Sequence, residues 1–334
     1  MRIAGKRKQK KEENEMILTE EKTYTMNVTE VDTDAEMGLN KKDIILEYTN
    51  LELLHAVLAS TMPYGRLSAR YRGKRKAELQ SRIAMVESVL EVRGDQLAKA
   101  EQVMYLDVAE RSAICHYLGI IYTRMIARKL YGTDLMVPLN LIEQPGEKKF
   151  IKYNGAYRQD LIGYQKNGGW SVWESIGRSE NSQAAFGNGC RAAAEIEKIN
   201  ESVPAKNAAC MTYYERGYLT AVLKEAERTG DLMLGFPEKN YFKAYYQPMF
   251  ELFADEQPGE LYGNRENFEL ELTLPWTEEG RRGFRHLQIG TDPVTLKRMR
   301  EGKTEQILSQ LEKTPDAADG HYYCGRDGIF VGAE

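Results

Sequence analysis

Two carboxylates, Asp160 and Glu174, stand on either side of a turn signal in the stretch from Tyr157 to Arg178. The signal is Lys166-Asn167-Gly168-Gly169, which tolerates positive φ. The runs beside it are rich in aromatic and branched residues, so the stretch reads as a β-hairpin. Side chains alternate along a strand, and the two acids share a face only if the connection has an odd number of residues. A loop of Asn167-Gly168-Gly169 with a glycine bulge would pair Lys166 with Trp170, set Asp160 opposite Ile176 and leave Glu174 diagonal to Asp160. A two-residue loop would split them and leave ordinary strand-end polar residues. Two carboxylates on one pleat, with backbone carbonyls nearby, form a hard all-oxygen site suited to Mg²⁺ or Mn²⁺. Arg178 falls on the Glu174 face. Its guanidinium cannot act as a base but can clamp a phosphate in a planar fork.

The order Asp160, apolar run, turn, apolar strand, Glu174-Ser175-Ile176, then a helix after Gly177-Arg178-Ser179 resembles the core of the PD-(D/E)XK nuclease superfamily of restriction-type enzymes, over roughly residues 105–214. The resemblance implies that Asp160 and Glu174 hold a divalent metal, and that the chain hydrolyses phosphodiester bonds or binds nucleic acid, DNA foremost. Two positions depart from the motif: Gln159 replaces the usual proline, and Ile176 replaces the lysine that orients or activates the attacking water. The second departure leaves two readings open, a metal-dependent endonuclease or a nuclease fold that has lost catalysis and serves as a binding or assembly module.

A third reading comes from Arg111 and His116, whose spacing resembles the R-x4-6-H signature of HEPN ribonucleases and implies metal-independent RNA cleavage. A histidine beside Cys115, Tyr117 and Leu118 is otherwise expected to be a packed residue. Elsewhere Arg66, Arg70, Arg72, Lys74, Arg75 and Lys76, with Tyr64 and Tyr71 between them, combine charge for phosphates with rings that stack on bases. The same run also reads as a charged connector.

The whole chain sets no global pull toward nucleic acid: its 334 residues carry a net charge of −4, so any such binding rests on local basic patches. Four scattered cysteines, Cys115, Cys190, Cys210 and Cys324, show no C-x-x-C spacing and argue against a zinc cluster or disulfide framework; a cytoplasmic setting is expected. The basic N-terminus lacks the apolar core of a secretory signal, and no run approaches the about 18 apolar residues of a membrane span. A homodimer or a protein partner remains compatible with the apolar helical surface around 97–130.

The elements that must position the acids follow from periodicity. Residues 1–21 read as a mobile charged arm. Residues 22–104 read as a largely helical N-terminal region: a strand at 23–31, helical spacing at 42–59, the basic stretch 66–76, and a helix at 77–92. A second helix over 96–131 stops at Gly132, and the α/β core, 105–230, continues with a strand at 135–142, possible strand 150–153, the hairpin, a helix at 181–200, a strand at 208–214 and a helix at 218–228. A C-terminal α+β region, 231–334, carries a strictly alternating strand at 268–274, a helix at 293–311 and short strands around Arg326-Asp327-Gly328. Within it His286 and His321 read as isolated. The expected class is thus α/β (α+β), with a central mixed sheet of restriction-endonuclease-like type flanked by helices.

Overall fold

The computed structural model of the chain describes residues 17–18, 21–31, 41–60, 72–142, 161–165, 168–252, 258–261, 265–273, 286–291, 293–301, 303, 306–307, 317–318 and 322–333. The architecture is mixed α+β, built on one large mixed sheet. Strands β1 (Thr23–Val31) and β2 (Lys41–Thr49) form its first antiparallel pair. Residues 42–59 therefore hold a strand and a helix rather than one helix. Leu46 and Tyr48 turn inward while Ile45 is 70% exposed, which is the alternation of a strand. Thr49 then caps α1 (Asn50–Ala59): its hydroxyl accepts from the Glu52 amide, and Glu52 reaches back to the Thr49 amide.

Helix α2 (Arg72–Val89) absorbs the end of the basic run and leads into a hairpin, β3 (Leu90–Arg93) and β4 (Gln96–Lys99), where helix was expected from Gln96. Gly94, at φ 69°, and Asp95 form the two-residue connection that the sequence signals. A 3-10 turn at Glu101–Tyr105 precedes the long helix α3 (Val108–Tyr131), capped by Asp107 and stopped by Gly132 as expected.

From α3 the chain runs through β5 (Thr133–Pro138), a single turn α4 (Leu139–Ile142), β6 (Leu161–Gln165) and β7 (Trp170–Gly177), three successive antiparallel strands. Helix α5 (Gln183–Ala194) and the short β8 (Ile196–Ile199) cross to β9 (Lys206–Glu215), parallel to β7. The segment expected as a helix from Tyr218 is instead strand β10 (Tyr218–Glu225). Arg216 and Gly217, both at positive φ, make the tight turn that returns β10 antiparallel to β9. Its core Leu219–Leu223 is buried on both faces, so the run lacks the alternation that distinguishes a strand from a helix.

β10 in turn pairs parallel with β1, and the β3–β4 hairpin bridges at the end of both. The N-terminal region is thus not a helical unit: its strands complete the sheet formed by β5, β6, β7, β9 and β10. Order across the sheet is β2, β1, β10, β9, β7, β6, β5, with β4 joining at the β1 and β10 ends. The C-terminal part opens with β11 (Leu232–Leu234) paired to β8 and α6 (Glu238–Leu252), whose Tyr241 and Phe242 pack under Trp170 and Tyr164. It continues as β12 (Pro258–Leu261), β13 (Arg265–Thr273), β14 (His286–Thr291), α7 (Pro293–Arg300), β15 (Ala317–Ala318), β16 (Tyr322–Cys324) and β17 (Ile329–Ala333), whose strands form a second, antiparallel sheet. The expected strand at 150–153 lies outside the described residues. No helix among the described residues is long and apolar enough to cross a membrane, and all four cysteines are free thiols.

Two glycines fix how α3 meets the sheet. A Cβ on Gly177 would lie 1.6 Å from the Cys115 carbonyl oxygen, and one on Gly119 would lie 2.8 Å from the Gly177 amide. Helix backbone rests directly on strand backbone there, which sets the depth at which His116 stands beside β7.

Candidate functional site

The hairpin that carries Glu174 forms in a register two residues from the expected one. Tyr164, not Lys166, is opposite Trp170, with the two rings edge to face at 5.1 Å. The Gln165 amide donates to the Gly169 carbonyl at 2.8 Å, leaving residues 166–168 as the loop. The aromatic pair and the burial of Trp170 and Trp173 outweigh the turn preference that would centre on both glycines. The loop has an odd residue count, the parity expected. Asp160 lies outside the described residues.

Among the described residues β6 flanks β7 along Trp170–Trp173, and β9 follows it from Ser171 to Gly177. A cleft of about 320 Å³ is lined by Glu174 and Ile176 of the strand, Arg178 just after it, His116 of α3, and Asn188 and Gly189 of α5. Glu174 is 6% exposed and lines the cleft. A carboxylate is a hard oxygen donor suited to a divalent cation. Arg178 extends the ladder by donating its amide to Thr212 and leaves its side chain exposed at the rim.

Electrostatics near the cleft are cationic. Burial pushes the Cys115 thiol above its ordinary value, and the positive charges of Arg111, Lys99 and Arg178 pull against that shift. Arg111 is on α3, Lys99 ends β4 and Arg178 follows β7, so separate parts of the chain bring like charge to bear on Cys115, the neighbour of His116. Self-repelling cations gathered at one place favour a polyanionic ligand.

His116 is exposed and lines the cleft, where a packed histidine was expected. Its neighbour in the ribonuclease-like spacing, Arg111, donates Nη2 to the Leu106 carbonyl at 3.0 Å and so braces the start of α3. Ile176 is half-buried, and its Cδ1 lies 2.3 Å from where a Cβ on Gly189 would stand. The missing lysine is thus replaced by an apolar side chain laid on the backbone of α5. Of the basic stretch, Arg66 and Arg70 lie outside the described residues, while Arg72, Lys74, Arg75 and Lys76 belong to the first turns of α2. That helix leans on α3 through Arg82, whose guanidinium stacks over Tyr117 at 4.1 Å. Among the described residues no group of three or more His, Cys, Asp or Glu is placed to hold a metal ion; Glu174 supplies one hard oxygen donor group of the expected pair.

A second polar centre has no counterpart in the sequence reading. Asp327, at the β16–β17 turn, is 1% exposed; its Oδ1 receives His55 Nε2 at 3.2 Å and the Ile329 amide at 3.1 Å, and its Oδ2 receives the Tyr245 hydroxyl at 2.5 Å. Tyr246 donates to the Asp327 carbonyl at 2.8 Å. Arg128 Nη1 lies 3.2 Å from His55 Nδ1. A guanidinium only donates, so Nδ1 accepts and the ring's proton sits on Nε2, facing Asp327. Burial opposes ionisation of Asp327, but the His55 ring, Arg128 and Tyr245 outweigh it and hold the carboxyl at about 2. Residues 55 and 327 are far apart in sequence, and only the observation that Asp327 occupies a Gly-Arg-Asp-Gly turn between strands hinted at a special role. Comparison of the chain with protein-family models, with curated proteins and with solved structures yields no match, so the site is read from its own geometry.

Proposed function

We propose that the chain is a nuclease-like protein of restriction-endonuclease type that binds nucleic acid, DNA foremost, in the cleft lined by the end of β7. The observation that carries this reading is the buried Glu174, which lines a cleft together with Arg178 and His116, beside a Cys115 that feels the charges of Arg111 and Lys99. The succession α3, β5, β6, β7, α5, β9 supports it, being the order of helix, strands, hairpin, helix and strand that the resemblance implies. Asp160 and Glu174 would hold Mg²⁺ or Mn²⁺, which supplies a Lewis acid and a water of lowered pKa when bound. The chain's own groups do the rest. Arg178 in the cleft and Lys99 beyond it would hold the phosphate backbone, the basic start of α2 would extend the track, and His116, which lines the cleft, would take a proton from the attacking water in place of the lysine that Ile176 replaces.

The test is plasmid and RNA cleavage by the purified chain with Mg²⁺ or Mn²⁺ and with chelator. Cleavage that requires the metal and vanishes in Asp160→Ala and Glu174→Ala is expected; cleavage that persists in chelator would instead favour the Arg111 and His116 ribonuclease reading. The packing of Ile176 onto Gly189 favours a second version of the same proposal, a nuclease fold that binds without cutting. Retention of DNA binding, lost with Arg178→Ala and Lys99→Ala but without cleavage under any metal, identifies that version. Ile176→Lys then raises activity only where the remaining groups are in place.

A further inference from the structure

The Asp327 centre contains one charge that its own side chains do not answer. Arg124, on α3 one turn before Arg128, is 7% exposed, and its Nε meets no hydrogen-bond partner among the described residues. Its neighbours are otherwise engaged. Lys129 pairs with Glu52 at 2.7 Å, Arg128 and Arg326 each lie 3.6 Å from Asp134, and both carboxylate oxygens of Asp327 are already bonded. Leaving His55 out of the count, four cations among the described residues (Arg124, Arg128, Lys129, Arg326) face three anions (Glu52, Asp134, Asp327). One positive charge remains, and it belongs to the guanidinium withdrawn furthest from solvent.

Arg124 lines a pocket enclosed by α1, α3, β5, α6 and β16, whose wall also holds His55, Tyr245, Tyr323, the cations Arg128 and Lys129, and the carboxylates Glu52 and Asp134 that pair with them. Its volume of about 20 Å³ admits a guest the size of a single water. A water satisfies a stray N–H but not a buried charge, whose desolvation costs several kcal/mol. We propose that this pocket binds a monatomic inorganic anion, chloride in ordinary buffers, recognised by Arg124 and enclosed by the rings of Tyr245 and Tyr323. A tetrahedral oxyanion is too large for the space. The site is separate from the cleft: Arg124 lies eight residues beyond His116, about 12 Å along α3. An anion here joins the long helix to the C-terminal sheet and so stabilises their docking.

The test is thermal unfolding of the full chain in sodium chloride, sodium bromide and sodium gluconate at constant ionic strength and pH. Chloride and bromide should raise Tm by about 2–4 °C per tenfold increase above half-saturation, and gluconate should not. The Arg124→Met variant should respond alike to all three salts. Equal Tm values in chloride and gluconate for the unaltered chain, the outcome if a water suffices, would overturn the proposal. So would a chloride-specific shift that Arg124→Met retains. Should that variant not fold, bromide-81 line broadening by the unaltered chain decides: excess broadening that chloride reverses supports the site, and its absence rejects it.

Discussion

The cleft at β7 and the buried centre around Asp327 both use α3, yet they are built on opposite lines. In the cleft, Glu174, Arg178 and Asn188 come from one stretch of chain, β7 through α5, and Arg178 and Asn188 are exposed. In the centre, His55, Arg128, Tyr245 and Asp327 come from four elements, and polar groups face each other. A group turned toward solvent is available to a ligand at little gain to the fold; a group satisfied internally holds elements together but is closed to chemistry. The two regions should therefore respond to mutation in opposite ways, the cleft in activity and the centre in stability.

The largest effect should follow Asp327→Ala. It strands His55, Tyr245 and the Ile329 amide and removes the only carboxylate facing His55 among the described residues, so the loss should be about 3–5 kcal/mol in urea unfolding. Cleft function per folded molecule should be unchanged. Unaltered stability in this variant would break the comparison at once.

Glu174→Gln is the converse. It keeps the shape and removes the charge, so metal-dependent cleavage or metal binding should fall about a hundredfold or more, a larger effect on function than on urea unfolding. A large loss of stability with unaltered activity would reassign Glu174 to the fold and leave the cleft without its acid.

How much of this contrast could be read from the sequence depends on separation along the chain. The hairpin, its odd loop, the helix after Arg178 and the stop at Gly132 are local, and turn and cap chemistry announces them. The hairpin's register was missed by two residues because the Tyr164 to Trp170 contact, not the glycines, decides it. β10 was read as a helix because a strand buried on both faces loses its alternation, and β2 because its helix-like tail belongs to α1. The bond from His55 to Asp327 spans 272 residues, and no pattern in either segment points to the other. Ile176 was legible as a departure, but its seat on Gly189 required α5 to be in place.

A smaller effect is expected from acid. Asp327 ionises more readily in the folded chain than in the unfolded one, so its contribution is complete above the ordinary value of 3.8 and disappears as pH falls toward about 2. About 2 kcal/mol should be lost across that window, and the loss should be missing from Asp327→Asn. Stability curves of equal steepness in both chains would place the acid sensitivity elsewhere.

The smallest and most discriminating pair concerns two helix caps. Thr49 caps α1, which carries His55, and Ser182 caps α5, which carries Asn188 and Gly189. Each side chain accepts a bond from an amide in the first turn, at 3.1 Å from Glu52 and 3.3 Å from Ala185. Replacement by alanine should cost about 1 kcal/mol in either case. The energies are alike, but the positions are not. Thr49→Ala loosens a helix whose polar groups are already satisfied inside the protein, so nucleic-acid affinity should not change. Ser182→Ala frays the helix whose backbone seats Ile176 and walls the cleft, so affinity should weaken by a few-fold at the same cost in stability. Equal effects of the two caps on binding would mean that α5 only covers the sheet, and that the ligand is held by β7 and α3 alone.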